Sequence, residues 1–235
     1  MIREWIKLLH LARKRSQSYF DYLEFQTYQA YLILNYLELQ GICVENTRVL
    51  DLGCGHGGYS CVLSRAGAHV ISIDLRRPEI ALPAFTQGDA TKLPFSAQSF
   101  PLVFCASLIE HVAEPACLLT EIRRVLSPGG AVYLSFPPFY TPVGGHQFKP
   151  YHLLGERWAL RFSNYRVDSF ANCFGSWGLY PLSIRRAKRL IKEAGLKIVH
   201  LSTRFFPLNV ARLPWLGEFL TWHVQFILKT DNCSA

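Results

Sequence analysis

Three aspartates and a run of glycines are the first residues whose types and spacing could do chemistry. Asp51-Leu52-Gly53-Cys54-Gly55-His56-Gly57 follows the apolar pair Val49-Leu50. Glycine lacks a Cβ, so alternating glycines let the main chain turn sharply and approach a ligand closely. Asp74 comes 23 residues after Asp51, at the end of a second apolar run. That is the place for a carboxylate that meets ribose hydroxyls. Asp89, in Gly88-Asp89-Ala90, adds an acceptor near a third apolar stretch. A cofactor carrying an adenosine needs these three features from an open α/β sheet: a close backbone turn, a ribose acid and an adenine partner. Gly53, Gly55 and Gly58 also fit G-x-G-x-x-G, so the turn alone leaves a nicotinamide dinucleotide open. A turn that merely lets strand and helix pack would not need the acid at the next strand end.

A second set of residues could move a proton. Glu110-His111 and His146, the latter in Gly144-Gly145-His146-Gln147, are the candidate bases, with His152, Tyr140 and Tyr151 behind them. His146 ranks first as base or substrate contact because it follows the fifth expected strand, and the carboxyl edge of an α/β sheet faces the ligand. The bland alternatives are a loop histidine satisfied by backbone groups, and a Glu110-His111 pair serving as a helix cap or a hydrogen-bonding support.

The elements that must position these groups follow from hydrophobic periodicity. Residues 1–40 read as two helices: a rough apolar stripe of Trp5, Ile6, Leu8, Leu9 and Leu11, then an aromatic-rich helix with Tyr19, Phe20, Leu23, Tyr28 and Tyr31. Strands are expected at 47–52, 69–73, 84–87, 102–105 and 131–136, and helices at 57–66 and 114–126, the second stopped by Ser127-Pro128-Gly129-Gly130. The link at 75–83 holds two prolines and has room for little more than one helical turn. Alternating strands and helices imply a parallel sheet. Residues 137–182 break the rhythm with aromatics, Gly and Pro and read as an irregular cap. A basic helix at 183–194 and strands at 196–206 and 218–229 follow. About a dozen residues separate the last two strands, too few for a helical crossover, so the final strand should be antiparallel. The expected organisation is one domain over 1–235: N-terminal helices at 1–45, a cofactor-binding core at 46–136, the cap at 137–182, and a C-terminal helix with two strands at 183–235.

Composition narrows the class. The 235 residues are half hydrophobic, enough for a large core, and no long uncharged apolar run predicts a transmembrane helix. The N-terminus lacks the pattern of a secretory signal. Seven cysteines without a C-x-x-C pair argue against a disulfide framework and fit a reducing, cytoplasmic setting. The net charge of +8, densest at Arg13-Lys14-Arg15 and at Arg185-Arg186 with Lys188-Arg189, either serves an anionic partner or is a generally basic surface. The first apolar stripe either lies on a membrane surface or packs on its own domain.

Taken together, Val49 to Gly57, Ile71-Ser72-Ile73-Asp74, the stretch from Gly88 to Phe95, Ser107-Leu108-Ile109-Glu110-His111-Val112 and the stretch from Arg124 to Gly130 resemble the class I S-adenosylmethionine-dependent methyltransferases, particularly their type 11 branch. The likeness runs from Val49 to Pro137. It implies a Rossmann-like α/β fold, a seven-stranded, mostly parallel sheet with an antiparallel last strand, and S-adenosylmethionine as cofactor with S-adenosylhomocysteine as product. It also implies that Asp51, Gly53, Cys54 and Gly55 line the methionine part and that Asp74 holds the ribose hydroxyls. Leu75 would lie against the adenine, Asp89 would accept from its amino group beside Ala90, and Cys105 and Ala106 would border the sulfonium. The link between the second and third strands is shorter than is usual in that family.

Glu110-His111 further resembles part of the E-x-x-E-H pattern with which ubiquinone-biosynthesis O-methyltransferases and small-RNA 2′-O-methyltransferases hold a magnesium-type ion. Ser107 stands where the first Glu belongs, and one carboxylate with one imidazole is a poor set for a hard cation, so no metal is assigned. Phe136-Pro137-Pro138-Phe139 superficially resembles the Asn-Pro-Pro-Tyr signature of amino-methylating DNA enzymes, but lacks its Asn and follows the wrong strand. The expected activity is methyl transfer by in-line displacement to oxygen, nitrogen or carbon of a small-molecule acceptor. An RNA methyltransferase using the basic surface and a non-catalytic cofactor-binding protein are the alternatives, with an oxidoreductase behind them. RNA is the less favoured partner because no appended RNA-binding module or aromatic platform is recognisable. The sequence does not fix the acceptor or the oligomeric state.

Overall fold

The computed structural model describes residues 2–175, 177–204, 208–213 and 215–230, except for the side chains of Ile2, Arg3 and Trp5. Two of the sequence expectations therefore fall partly outside it: Trp5 of the first stripe and Phe206 at the end of the penultimate strand. The elements in chain order are α1 (Ile2–Lys14), α2 (Tyr19–Leu39), β1 (Arg48–Leu52), α3 (Gly58–Arg65), β2 (His69–Asp74), β3 (Phe85–Gln87) and β4 (Phe100–Ala106). Then come α4 (Pro115–Val125), β5 (Leu126–Phe136), α5 (Glu156–Phe162), α6 (Ile184–Glu193), β6 (Leu196–Thr203), α7 (Leu216–Leu220) and β7 (Val224–Thr230). The seven strands form one mostly parallel sheet in the order β3-β2-β1-β4-β5-β7-β6. β1 pairs with β2, and β2 with β3, in parallel, whereas β6 and β7 are antiparallel. This is the expected α/β architecture with its antiparallel last strand.

The chain divides into two compact units, Met1–Phe104 with Val125–Ala131 and Cys105–Arg124 with Val132–Ala235. In the first, Val49, Leu50, Leu52, Val62, Ile73, Leu102 and Val103 are buried. Both sides of a central parallel strand are covered, so these strands read as near-continuous apolar runs. α2 is capped by Ser18, whose hydroxyl accepts from the Asp21 N–H, and it packs on α3. α1 packs on α2 with Leu11 buried, while Ile6 stays exposed.

In the second unit, Val132, Leu134, Phe136, Val224, Phe226 and Leu228 form the sheet core, with the Phe136 and Phe226 rings stacked. Residues 137–182 are irregular, as expected, apart from α5 and three short 3-10 turns. They close around a small core of Phe139, Phe148, Ala159, Phe170, Cys173 and Leu179. Among the described residues no helix is long and apolar enough to cross a membrane.

Two expectations need correction. Residues 127–130 do more than stop a helix: β5 starts at Leu126 and runs straight through them. The Ser99 N–H donates to the Val125 carbonyl, and the Ser127 hydroxyl to that of Gln98. A Cβ on Gly130 would lie 2.8 Å from the Pro101 carbonyl oxygen, so glycine permits the close strand approach. The last strand starts at Val224 rather than Glu218. Glu218 lies in the short α7, where its carboxylate accepts from the Ile184 and Arg185 N–H groups (2.7 and 2.6 Å) and so caps α6. The link at 75–83 holds no helical turn, which agrees with the little room expected there.

Candidate active site

The first unit builds its site at the turn after β1. Gly53, Gly55 and Gly57 all take positive φ (+70°, +55° and +86°), the left-handed region that glycine enters without cost. The Gly53 and Cys54 N–H groups donate to the Ile73 carbonyl (2.8 and 3.3 Å), which ties the turn to the end of β2. The Gly55 N–H donates to Asp74 Oδ2 (2.9 Å) and the Arg76 N–H to Oδ1 (3.1 Å). The Asp74 carboxylate is therefore oriented against the glycine turn, and its oxygens retain lone pairs for incoming hydroxyls. Leu75 beside it is 41% exposed. The Gly88 N–H donates to the Asp74 carbonyl (3.0 Å), which brings Asp89 to the end of β2. Asp89 Oδ1 accepts from the Thr91 N–H and hydroxyl (2.8 Å each), fixing the carboxylate next to Ala90.

Asp51 is buried, and its Oδ2 accepts from the Ser60 hydroxyl (2.5 Å), which in turn accepts from Ser72 (2.9 Å). Burial pushes its carboxyl up to about 7, the Ser60 bond pulls it down, and the Asp74 charge adds to the rise. A carboxyl so placed would gain from a cation nearby. The Cys54 thiol is fully buried and its pKa is raised, first by burial and then by Asp51 and Asp74, which removes it as a nucleophile.

Residues of α2 that sequence reasoning missed also reach this turn. Gln26 Oε1 accepts from the Gly58 N–H (3.3 Å), and the Tyr59 hydroxyl donates to Gln29 Oε1 (2.5 Å). The Tyr19 hydroxyl donates to the His56 carbonyl (3.1 Å) and accepts from the Ile80 N–H (3.3 Å). The Tyr19 and Tyr22 rings lie 4.6 and 4.5 Å from the His56 ring. The aromatic richness of α2 was the signal for the tyrosines; nothing in the sequence marked the glutamines.

In the second unit, Cys105 and Ala106 end β4 and are both buried. The next residue, Ser107, has φ +56° and donates its N–H to the Ser135 carbonyl (2.7 Å). That turn leads into a 3-10 helix, Ile109–His111, which carries two of the candidate bases. Glu110 is 2% exposed, and neither carboxylate oxygen meets a hydrogen-bond partner among the described residues. Burial pushes its carboxyl up to about 8, against the smaller pull of its own backbone N–H, which is near but outside hydrogen-bond geometry, and of the Arg204 charge. His111 Nδ1 lies 2.8 Å from the Gly178 carbonyl, an acceptor, so the proton sits on Nδ1 and Nε2 carries a lone pair. Burial holds the imidazole near 4, hence neutral at ordinary pH.

His146 joins this pair from 35 residues away, with its ring 4.9 Å from that of His111. Phe174 and Trp177, stacked at 4.0 Å, flank His111 at 5.3 and 4.5 Å. The cluster thus gathers Glu110, His111 and His146, and their nitrogen and oxygen ligand atoms lie within 4.8 Å of one another. His152 has a separate task, since its Nε2 bonds the Thr141 carbonyl (3.1 Å) in the loop beneath. Tyr140 and Tyr151 are exposed. Arg204, His223, Phe174 and Trp177 were not singled out in the sequence. Arg204 is 2% exposed and meets the Ser135 hydroxyl and His223 Nε2, both at 3.3 Å, while His223 Nε2 also bonds the Ser107 hydroxyl (3.1 Å).

A methyltransferase-domain family model matches residues 50–134. An uncharacterized methyltransferase of Mycobacterium tuberculosis is 31% identical over 193 residues, covering 77% of this chain and 75% of its own length. One from Mycolicibacterium gilvum is 29% identical over 202 residues, with 80% and 78% covered. Among solved structures, an S-adenosylmethionine-dependent methyltransferase from Mesorhizobium loti superposes with a TM-score of 0.58 at 20% identity, covering 83% of this chain and 95% of that one. A glycine turn tied to a ribose-type acid, the strand order and these relatives agree: the chain belongs to the class I S-adenosylmethionine-dependent methyltransferases.

Proposed function

We propose that this enzyme transfers the methyl group to a protic oxygen or nitrogen of a small, largely apolar acceptor. The supporting observation is the cluster of Glu110, His111 and His146 walled by Phe174 and Trp177. It offers proton-accepting groups at a mostly apolar, half-buried position, which suits a compact acceptor with one reacting atom better than a polynucleotide.

The first unit's residues fit the cofactor. A ribose needs a carboxylate at the strand end, and Asp74 is held there by two backbone amides. The methionine ammonium needs an anion by the turn, and Asp51 is a buried carboxyl that a cation would ionise. Asp89 and Leu75 would serve the adenine edge and face. Cys105 and Ala106, as the family resemblance implies, would border the sulfonium. Bound S-adenosylmethionine supplies a methyl on a sulfonium, whose sulfur departs as a neutral thioether. Alignment is the main task left to the protein. In the metal-free cluster His146 takes up the acceptor's proton, a contribution of roughly 10²–10⁴ in rate, while the Glu110 carboxyl, raised and so largely protonated at neutral pH, and the lowered His111 imidazole are the poorer proton acceptors.

The test is incubation with labelled S-adenosylmethionine and fractionated extract, followed by mass spectrometry of the labelled product. Label in a small-molecule fraction is expected. Label confined to RNA or protein overturns the acceptor assignment.

A further inference from the structure

The second unit's cluster has the composition of a metal site, which the sequence pattern alone, with Ser107 in place of its first Glu, left unassigned. Glu110-His111 alone gives two ligands, and Ser107, at the position of a third, has its hydroxyl on His223. The fold supplies the third ligand from elsewhere: His146. We propose that Glu110, His111 and His146 bind a divalent transition-metal ion of the zinc type, with an open coordination position for the acceptor's heteroatom.

Four observations carry this. The ligand atoms of the three side chains lie within 4.8 Å of one another, and Glu110 Oε1 is 3.9 Å from His111 Nε2. Metal–ligand bonds near 2.1 Å in a tetrahedral set place ligand atoms about 3.4 Å apart, so small side-chain rotations close the set. Second, Glu110 is 98% buried with both carboxylate oxygens lacking a hydrogen-bond partner among the described residues, an expensive state for a polar group unless something binds it. Third, the His111 Nδ1–H donates to the Gly178 carbonyl, which turns the Nε2 lone pair toward Glu110. That backbone acceptor is the support that metal-ligating histidines ordinarily have, because it fixes both tautomer and ring.

Fourth, the His146 loop is built to one conformation. His146 has φ +50°, and a Cβ on Gly144 or Gly145 would collide with the Pro138 carbonyl oxygen or the His152 ring. Phe148, two residues on, is fully buried. Such packing sets the direction of the imidazole before any ligand arrives.

Two imidazoles and one carboxylate select the ion. Magnesium and calcium want oxygen ligands in larger number. Imidazole suits zinc and its neighbours, and three protein ligands with one open position is the arrangement of catalytic zinc. The role of the open position rests on the methyl-transfer reading above; the binding itself does not. With the metal bound the three side chains are ligands and no longer bases, and an acceptor hydroxyl at the open position would lose its proton to solvent more easily. Its lone pair would form the new C–O bond while the C–S pair leaves with sulfur.

The test uses the full chain stripped of metals by chelator dialysis. Cobalt(II) titration, followed by visible absorption, should reach one equivalent with the bands of a four- or five-coordinate site, and zinc should displace the cobalt. His146→Ala and Glu110→Gln should each weaken cobalt and zinc binding at least tenfold, with S-adenosylhomocysteine calorimetry reporting that the variants are folded. Should Glu110→Gln fail to fold, His146→Ala alone decides. Absence of the cobalt spectrum, or equal affinity in wild type and His146→Ala, overturns the proposal. Zinc binding in a protein that labels only RNA or protein would retain the metal site and sink the acceptor reading. Methyl transfer to a small molecule without zinc binding would do the reverse.

Discussion

The two units hold their functional groups by different means. In the first, the candidate residues follow one another at three successive strand ends, and backbone amides orient the ribose acid: Gly55 and Arg76 hold Asp74. In the second, the adjacent Glu110 and His111, then His146 and then Trp177 come from three segments far apart in the chain. Ser107 and His146, at the cluster itself, take left-handed backbone conformations that most side chains avoid, whereas the non-glycine residues of that kind in the first unit, Asn46 and Gln98, lie away from its glycine turn. Strain of that kind costs on the order of 1–3 kcal/mol per residue and persists only where the surroundings impose it. The first arrangement suits a ligand used in common across a family, the second a ligand peculiar to one enzyme.

The sharpest way to separate the two regions is His146→Ala. If the second unit handles the acceptor, turnover should fall roughly 10²–10⁴-fold while S-adenosylhomocysteine affinity barely changes. Comparable activity in the two proteins would remove His146 from the reaction.

The same contrast explains what was legible. The glycine turn, Asp74, Asp89 and the strand order could be read because each depends on neighbours within a few residues or on a period of apolar side chains. Glu110, His111 and His146 were named as candidates one by one, yet their meeting was not foreseeable, because the loop of 137–182 has no period to read. Gln26 and Gln29 were invisible for a related reason: a polar residue in an apolar helix face announces nothing until the turn it bonds is in place. The strand expected from Glu218 failed because the carboxylate of Glu218 serves α6, a tertiary demand absent from local propensity. The early start of β5 was missed because Ser127-Pro128-Gly129-Gly130 looks like punctuation, while Gly130 is there for strand contact.

A second effect should belong to the first unit alone. The Asp51 carboxyl is raised to about 7 in the fold from 3.8, so the folded protein binds that proton more tightly than the unfolded chain. Its contribution to stability is present below about pH 4 and is lost as pH rises through 7. Denaturation of the cofactor-free protein should show stability falling by a few kcal/mol across that window, and Asp51→Asn should flatten the slope. An identical slope in the variant would mean that Asp51 does not titrate as described.

A smaller effect probes packing beneath the turn. A Cβ at Gly58 would lie 2.6 Å from Gln26 Cβ and 3.1 Å from the Leu23 carbonyl oxygen. Gly58→Ala should therefore cost about 1–3 kcal/mol by forcing α2 away from α3, despite alanine's better helix propensity. A stabilised variant in chemical denaturation would show that the contact relaxes freely.

The central claim is that the first unit holds the methyl donor through Asp74. Calorimetric titration of S-adenosylhomocysteine into wild type, Asp74→Ala and His146→Ala tests it most directly. If the Asp74 carboxylate accepts from the ribose hydroxyls as proposed, its removal should weaken binding by roughly 2–4 kcal/mol, some 30-fold or more, in Asp74→Ala only. Equal affinity in wild type and Asp74→Ala would contradict the account.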